Sequence, residues 1–175
     1  LDPSSDLTDT KEVNVGTASL NLTKTAKVVN GTGLSIAPAD EDGDQVIDSV
    51  ADDVLYQIAL DNTGNIDLTN VRVEDAMFAK LYTEASGNPT GTIQMTTENG
   101  TTQSLTILKD GVAGSEKYYV VVPTIAAAPA NDRVTLTYRI DITASDITSA
   151  TLDSGETFRS IDNTATVTST TEVLD

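Results

Sequence analysis

A chain of 175 residues is long enough to bury one sizeable core, and its 27 Asp and Glu against 10 Lys and Arg leave a formal net charge of −17. That balance repels nucleic acid and anionic membrane surfaces, and makes cations the expected small partners. With no His and no Cys, disulfide staples, thiolate chemistry, Ser-His-Asp and Cys-His catalysis and nearly all zinc sites are excluded.

The opening stretch LDPSSDLTDTKEVNVGT is polar, with Val13 and Val15 as its closely spaced apolar residues, and cannot form a core by itself. Residues 1–17 therefore read as an N-terminal extension and residues 18–175 as one domain. The chain opens on Leu1 rather than Met, and the expectation is that a signal peptide has been removed ahead of it. No apolar run is long enough to cross a membrane, so no membrane insertion of the mature form is expected.

An acidic insertion occupies residues 37–53. Asp40, Asp42, Asp44 and Asp48 fall at positions 1, 3, 5 and 9 of DEDGDQVID, with the Val46 carbonyl at position 7. Calcium takes about six to eight oxygen ligands, and carboxylates at alternate positions can curl toward one centre. Without a counter-ion these carboxylates would repel one another and hold the loop open. Gln45 stands where an EF-hand has glycine and Ala51 where it has glutamate, so the loop is not an EF-hand; it resembles the DxDGD calcium loops of extracellular β-rich proteins. Calcium is the expected ion.

Beyond the loop the strand signals are dense. Val54, Tyr56, Ile58 and Leu60 share one face of a period-2 pattern, followed by turn residues Asn62 to Asn65, of which Gly64 and Asn65 are suited to positive φ. Leu68, Val71 and Val73 then mark a second strand. Thr92 to Thr97 and Gln103 to Leu108 read as a hairpin turning at Asn99 and Gly100. Ser115 to Pro123 reads as a strand buried on both faces, and Ala126 to Ala130 as a loop. From Val134 to Thr143 apolar and polar residues alternate without interruption; Tyr56, Ile58, Val134, Leu136 and Ile140 are expected inward, Tyr138 in the core with its hydroxyl paired, and Arg72, Thr135 and Arg139 outward. A short helical turn is expected around Ala144 to Ser149. This succession predicts an all-β fold, an antiparallel sandwich.

Four blocks also carry a family resemblance: LNLTKTAKVV, the aromatic strand with DNTGN, LTNVRVED, and NTATVTST (Asn163 to Thr170). In this order they resemble the repeat-type immunoglobulin-like domain of bacterial and archaeal cell-surface proteins. The resemblance implies an immunoglobulin-like β-sandwich, located outside the cell or on its surface, that serves display, spacing or adhesion without catalytic residues.

Three N-x-Thr triplets, at Asn21, Asn30 and Asn99, are candidate glycosylation sites. Asn99, on a hairpin tip, is the most accessible of them. The expected function is non-enzymatic: a structural subunit of an extracellular filament, a homopolymer assembled head to tail by strand donation from the N-terminal extension and stabilised by calcium. Val13 and Val15, then Leu20 and Leu22, are the side chains offered to a neighbour, with Gly16 permitting the change of face between the pairs. The alternative is a non-polymerising adhesion, carbohydrate-binding or spacer module; an aromatic content of 4 % argues against a sugar platform.

Overall fold

The computed structural model describes residues 16–30, 52–129, 132–141, 148–151, 157–160 and 163–168. In chain order they form β1 (Leu20–Asn30), β2 (Asp52–Asn62), β3 (Leu68–Asp75), α1 (Phe78–Leu81), β4 (Glu84–Ala85), β5 (Asn88–Pro89), β6 (Thr92–Thr97) and β7 (Thr102–Thr106). There follow β8 (Leu108–Asp110), β9 (Lys117–Ile125), β10 (Arg133–Asp141), β11 (Thr148–Thr151), β12 (Thr157–Ser160) and β13 (Ala165–Thr168). Two antiparallel sheets dominate, ordered β1-β2-β10-β6-β7 and β13-β3-β9-β8. The all-β expectation holds. Inward residues of both sheets form one apolar cluster, in which Ile58, Leu136, Val71 and Val122 are completely buried.

The alternation in β2 and β10 appears as expected, with Tyr56, Ile58, Val134, Leu136 and Ile140 all in the core. They meet in register, Tyr138 opposite Tyr56 and Leu136 opposite Ile58. Arg139 lies on the face away from the apolar cluster, yet it is buried, in an ion pair with the buried Asp53 at 2.7 Å. Thr135 and Arg72 are half-buried.

Several local expectations are corrected. The predicted strand Gln103 to Leu108 breaks at Ile107, which is fully buried and donates its N–H to the Gly91 carbonyl at 2.8 Å; there the chain leaves the first sheet as β7 and enters the second as β8. Strand β9 buries Val120, Val122 and Ile125 but leaves Tyr119 and Val121 half-exposed, so only one of its faces lies in the core. The Arg72 guanidinium covers the Tyr119 ring at 3.5 Å, supplying to the outer face a contact that apolar burial does not. Thr148 and Ser149 belong to β11 rather than to a helical turn, and residues 144–147 lie outside the described set.

Leu68 and Val71 are both buried although they stand three positions apart, which puts them on opposite faces of a regular strand. Asn70 lies between them at φ +50°, opposite Pro123 in the β3–β9 register. Proline has no N–H to give the ladder, and asparagine tolerates left-handed φ, so the strand turns over at that point.

Candidate functional site

The predicted site residues fall in three places. Asp40, Asp42, Asp44, Val46 and Asp48 lie outside the described residues, as do Val13 and Val15. Among the described residues there is no cluster of three or more His, Cys, Asp or Glu arranged to hold a metal. Leu20 and Leu22 belong to β1, where they pair with Asn62 and Leu60 of the same chain. Asn21, Asn30 and Asn99 are all exposed, the first two on β1 and Asn99 at the β6–β7 hairpin tip. The Asn99 carboxamide oxygen accepts from the Thr101 N–H at 3.0 Å and the Thr97 hydroxyl at 2.6 Å, so that side chain helps to shape its own turn.

Leu20 and Leu22 point into the seam between the sheets. With Ala18, Ser19, Leu68 and Val167 they line an open groove of about 310 Å³ between β1 and β13, the first strand of one sheet and the last of the other. Both are edge strands: among the described residues β1 pairs with β2 alone and β13 with β3 alone.

The chain entering β1 is fixed to the β2–β3 turn. Thr17 N–H donates to the Asn65 side chain at 2.6 Å, Asn65 N–H to the Thr17 carbonyl at 3.1 Å, and Thr63 N–H to the Ser19 carbonyl at 2.9 Å. A Cβ on Gly64 would lie 2.2 Å from the Thr17 oxygen, so the glycine is required for close backbone approach; positive φ is found at neither Gly64 nor Asn65. Asn62, completely buried, organises this end of the molecule. Its Nδ2 donates to the carbonyls of Ile66 (2.8 Å), Ala126 (2.9 Å) and Ile125 (3.2 Å), while its Oδ1 accepts from Gly64 N–H at 3.0 Å.

A second polar group lies inside the sandwich and joins the same two edge strands. Lys24 of β1 alternates in phase with Leu20 and Leu22, and its ammonium is hydrogen-bonded to Oδ2 of Asp75, at the end of β3. The Asp75 side chain is fully buried and that of Lys24 is 13 % exposed. Tyr138 donates its hydroxyl to the same Oδ2 at 2.5 Å, and Met77 N–H reaches Oδ1 at 2.9 Å. Asn163, just before β13, donates from Nδ2 to the Tyr138 oxygen at 3.4 Å. Its Oδ1 is buried and accepts no hydrogen bond.

Aromatic rings enclose this group. Tyr56 stacks on Tyr138 with centroids 5.2 Å apart, Phe78 meets Tyr138 edge-on at 5.1 Å, and the Lys24 nitrogen lies 4.9 Å from the centre of the Tyr56 ring. Burial draws the Lys24 ammonium below the usual lysine range, against the Asp75 carboxylate, which favours the charged form. Burial, reinforced by Asp75, pushes both tyrosine hydroxyls upward, so they remain protonated.

No family model, curated protein or solved structure matches this chain.

Sequence reasoning placed Tyr138 in the core with a paired hydroxyl but missed Lys24, Asp75 and Asn163. The signal was parity. A lysine in phase with the inward leucines of β1, and an aspartate in phase with Val71 and Val73 of β3, are charged groups directed into a core. Such groups require one another.

Proposed function

We propose that this protein is a structural subunit of an extracellular surface filament, an immunoglobulin-like sandwich without catalytic activity whose copies join head to tail. The observation that carries the reading is the apolar groove along the β1–β13 seam, flanked by two edge strands and lined by Leu20, Leu22, Leu68 and Val167. Edge strands present unpaired N–H and C=O groups, and an extended segment that adds to one gains main-chain hydrogen bonds while its alternate side chains enter the groove. Val13 and Val15 of one copy have the spacing to occupy the groove of the next. In this reading Leu20 and Leu22, which pair within their own chain, line the acceptor, and the donor is the part of the extension that precedes Gly16. Calcium bound by Asp40, Asp42, Asp44 and Asp48, with the Val46 carbonyl, would relieve charge between copies that carry −17 each.

The test is electron microscopy of the purified protein with calcium, alongside a variant lacking residues 1–17 and a Leu22→Asp variant that places charge in the groove. Fibres from the intact chain, and soluble folded monomers from both variants, are expected. Fibres from the deletion variant, or an intact chain that stays monomeric at high concentration with calcium, would overturn the reading. The engagement of Leu20 and Leu22 in their own domain favours a second reading, a non-polymerising adhesion or spacer module at the cell surface, and a strictly monomeric chain would select it.

A further inference from the structure

The buried group around Asp75 places an amine, a carboxamide and an acid together inside the sandwich, out of bulk water. We propose that Lys24 and Asn163 are the two halves of an intramolecular amide cross-link, formed by the folded chain itself, with Asp75 and Tyr138 as its proton-transfer residues.

The geometry points to a reaction rather than to a static ion pair on three counts. The Lys24 nitrogen and the Asn163 carboxamide are both bound to the Asp75–Tyr138 pair, the amine through Oδ2 of Asp75 and the carboxamide through the Tyr138 oxygen. Asn163 Oδ1 is buried with no donor, and buried carboxamide oxygens are ordinarily satisfied. The surroundings are Tyr56, Tyr138 and Phe78, and a lysine desolvated among apolar rings, with its ammonium disfavoured, is an activated nucleophile.

The step balances within the chain. Asp75 takes a proton from the Lys24 ammonium, and the freed lone pair of Nζ attacks Cγ of Asn163. The Cγ–Nζ bond forms and the carbonyl π pair moves onto Oδ1. A second Nζ proton is removed through Asp75 and the Tyr138 hydroxyl, which passes a proton to Nδ2, the atom already hydrogen-bonded to it. The carbonyl re-forms, the Cγ–Nδ2 bond breaks with its pair on nitrogen, and ammonia leaves. Of the ammonium's protons, one stays on the new amide, one completes the ammonia, and one remains on Asp75. No oxidant or cofactor is consumed. Holding amine and carbonyl together replaces an improbable encounter in water with an intramolecular one. An open pocket of about 330 Å³, lined by Asp75 and by Thr164 next to Asn163, offers ammonia a route out.

The product would join β1 to the segment leading into β13, tying the two sheets together at their shared edge. It is independent of the filament reading, because it forms within one copy.

The decisive measurement is the mass of the denatured full chain, followed by proteolysis and tandem mass spectrometry. A deficit of one ammonia is expected, together with a branched peptide joining Lys24 to Asn163 and loss of tryptic cleavage after Lys24. Lys24→Arg, which keeps a cation for Asp75, and Asn163→Ala should each show the full mass calculated for the variant and normal tryptic cleavage after residue 24. Asp75→Ala should also restore the full mass if it folds; where it does not, the first two variants and the parent decide. Cyclisation at Asn30-Gly31 or Asn99-Gly100 also releases ammonia, so a deficit that maps to either pair overturns the proposal. So does a folded parent of full mass whose Lys24 and Asn163 peptides are recovered as separate linear species.

Discussion

Asn62→Ala tests the claim that one buried carboxamide holds the end of the sandwich together. The side chain makes four hydrogen bonds, three as donor to the carbonyls of Ile66, Ile125 and Ala126 and one as acceptor from Gly64. The two Nδ2 hydrogens are shared among three carbonyls, so these contacts amount to about three full bonds of about 1 kcal/mol each, and with the penalty for the carbonyl left buried the full loss would cost about 4 kcal/mol. The Ile66 and Ala126 bonds are only partly buried, so water can replace some of what is lost, and the expected destabilisation is about 3 kcal/mol. For a chain of this size that is a fall in melting temperature of about 6–12 °C. Urea unfolding followed by circular dichroism should show a lower midpoint at unchanged slope. Asn65→Ala serves as the control, because its bond to Thr17 N–H is exposed, and it should cost less than about 1 kcal/mol. Asn62→Asp should be at least as damaging as alanine at neutral pH, since it turns a carboxylate toward three carbonyl oxygens. A loss below about 1 kcal/mol for Asn62→Ala, or equal losses at Asn62 and Asn65, would refute the reasoning.

Three further outcomes follow from the geometry. Arg139→Met leaves the Asp53 carboxylate buried without its guanidinium and beside Asp141, and should cost about 3–5 kcal/mol in chemical unfolding, whereas Asp53→Leu combined with Arg139→Met should recover most of it; a single variant as stable as the parent would show the pair to be dispensable. Asp110 is held below the usual carboxylate range by its paired hydrogen bonds from Arg72 at 2.6 and 3.0 Å, so its contribution is present above the unfolded aspartate pKa of about 3.9 and is lost as pH falls through the lower folded value. Titration by NMR should show that depressed midpoint, and Arg72→Leu should return it toward the ordinary value; a midpoint indifferent to the substitution refutes the assignment. Chelation should lower the melting temperature, and Asp42→Ala should abolish the response to added calcium; a melting curve unmoved by chelator and by calcium would remove the ion from the reading.

What the sequence made legible was whatever obeys the two-residue period. Tyr56, Ile58, Leu136 and Ile140 were placed correctly because side-chain alternation in a strand is a local property. The crossing at Ile107 was hidden, since an unbroken β pattern from Gln103 to Leu108 does not record which sheet each half joins. Gly64 was singled out for the wrong reason: positive φ is a local property, but its contact with the Thr17 carbonyl depends on a segment 47 residues earlier. Arg139 was directed correctly and still misjudged, because alternation gives a side chain's direction and not its burial. Lys24, Asp75 and Asn163 come from three segments far apart in the chain, and nothing short of the pairing of the sheets brings them together.

The interior explains why such a group exists at all. With two Phe and no Trp in the chain, tyrosine supplies the bulk between the sheets, and Tyr138 is among the largest fully buried side chains. A buried phenol needs a hydrogen-bond partner, which Asp75 supplies; a buried carboxylate needs a cation, which Lys24 supplies. Each polar group thus creates the requirement met by the next, and the succession ends at Asn163 Oδ1, whose requirement is unmet. An ion pair of this kind contributes little net stability, because desolvation offsets the attraction, and an unsatisfied acceptor costs about 1–3 kcal/mol more. Amide formation resolves both. It consumes the lysine charge, and once the aspartate carries the released proton it can donate to the carbonyl oxygen that had no donor. On this argument the network is the reactant state of the cross-link, and its apparent waste of polar groups disappears in the product.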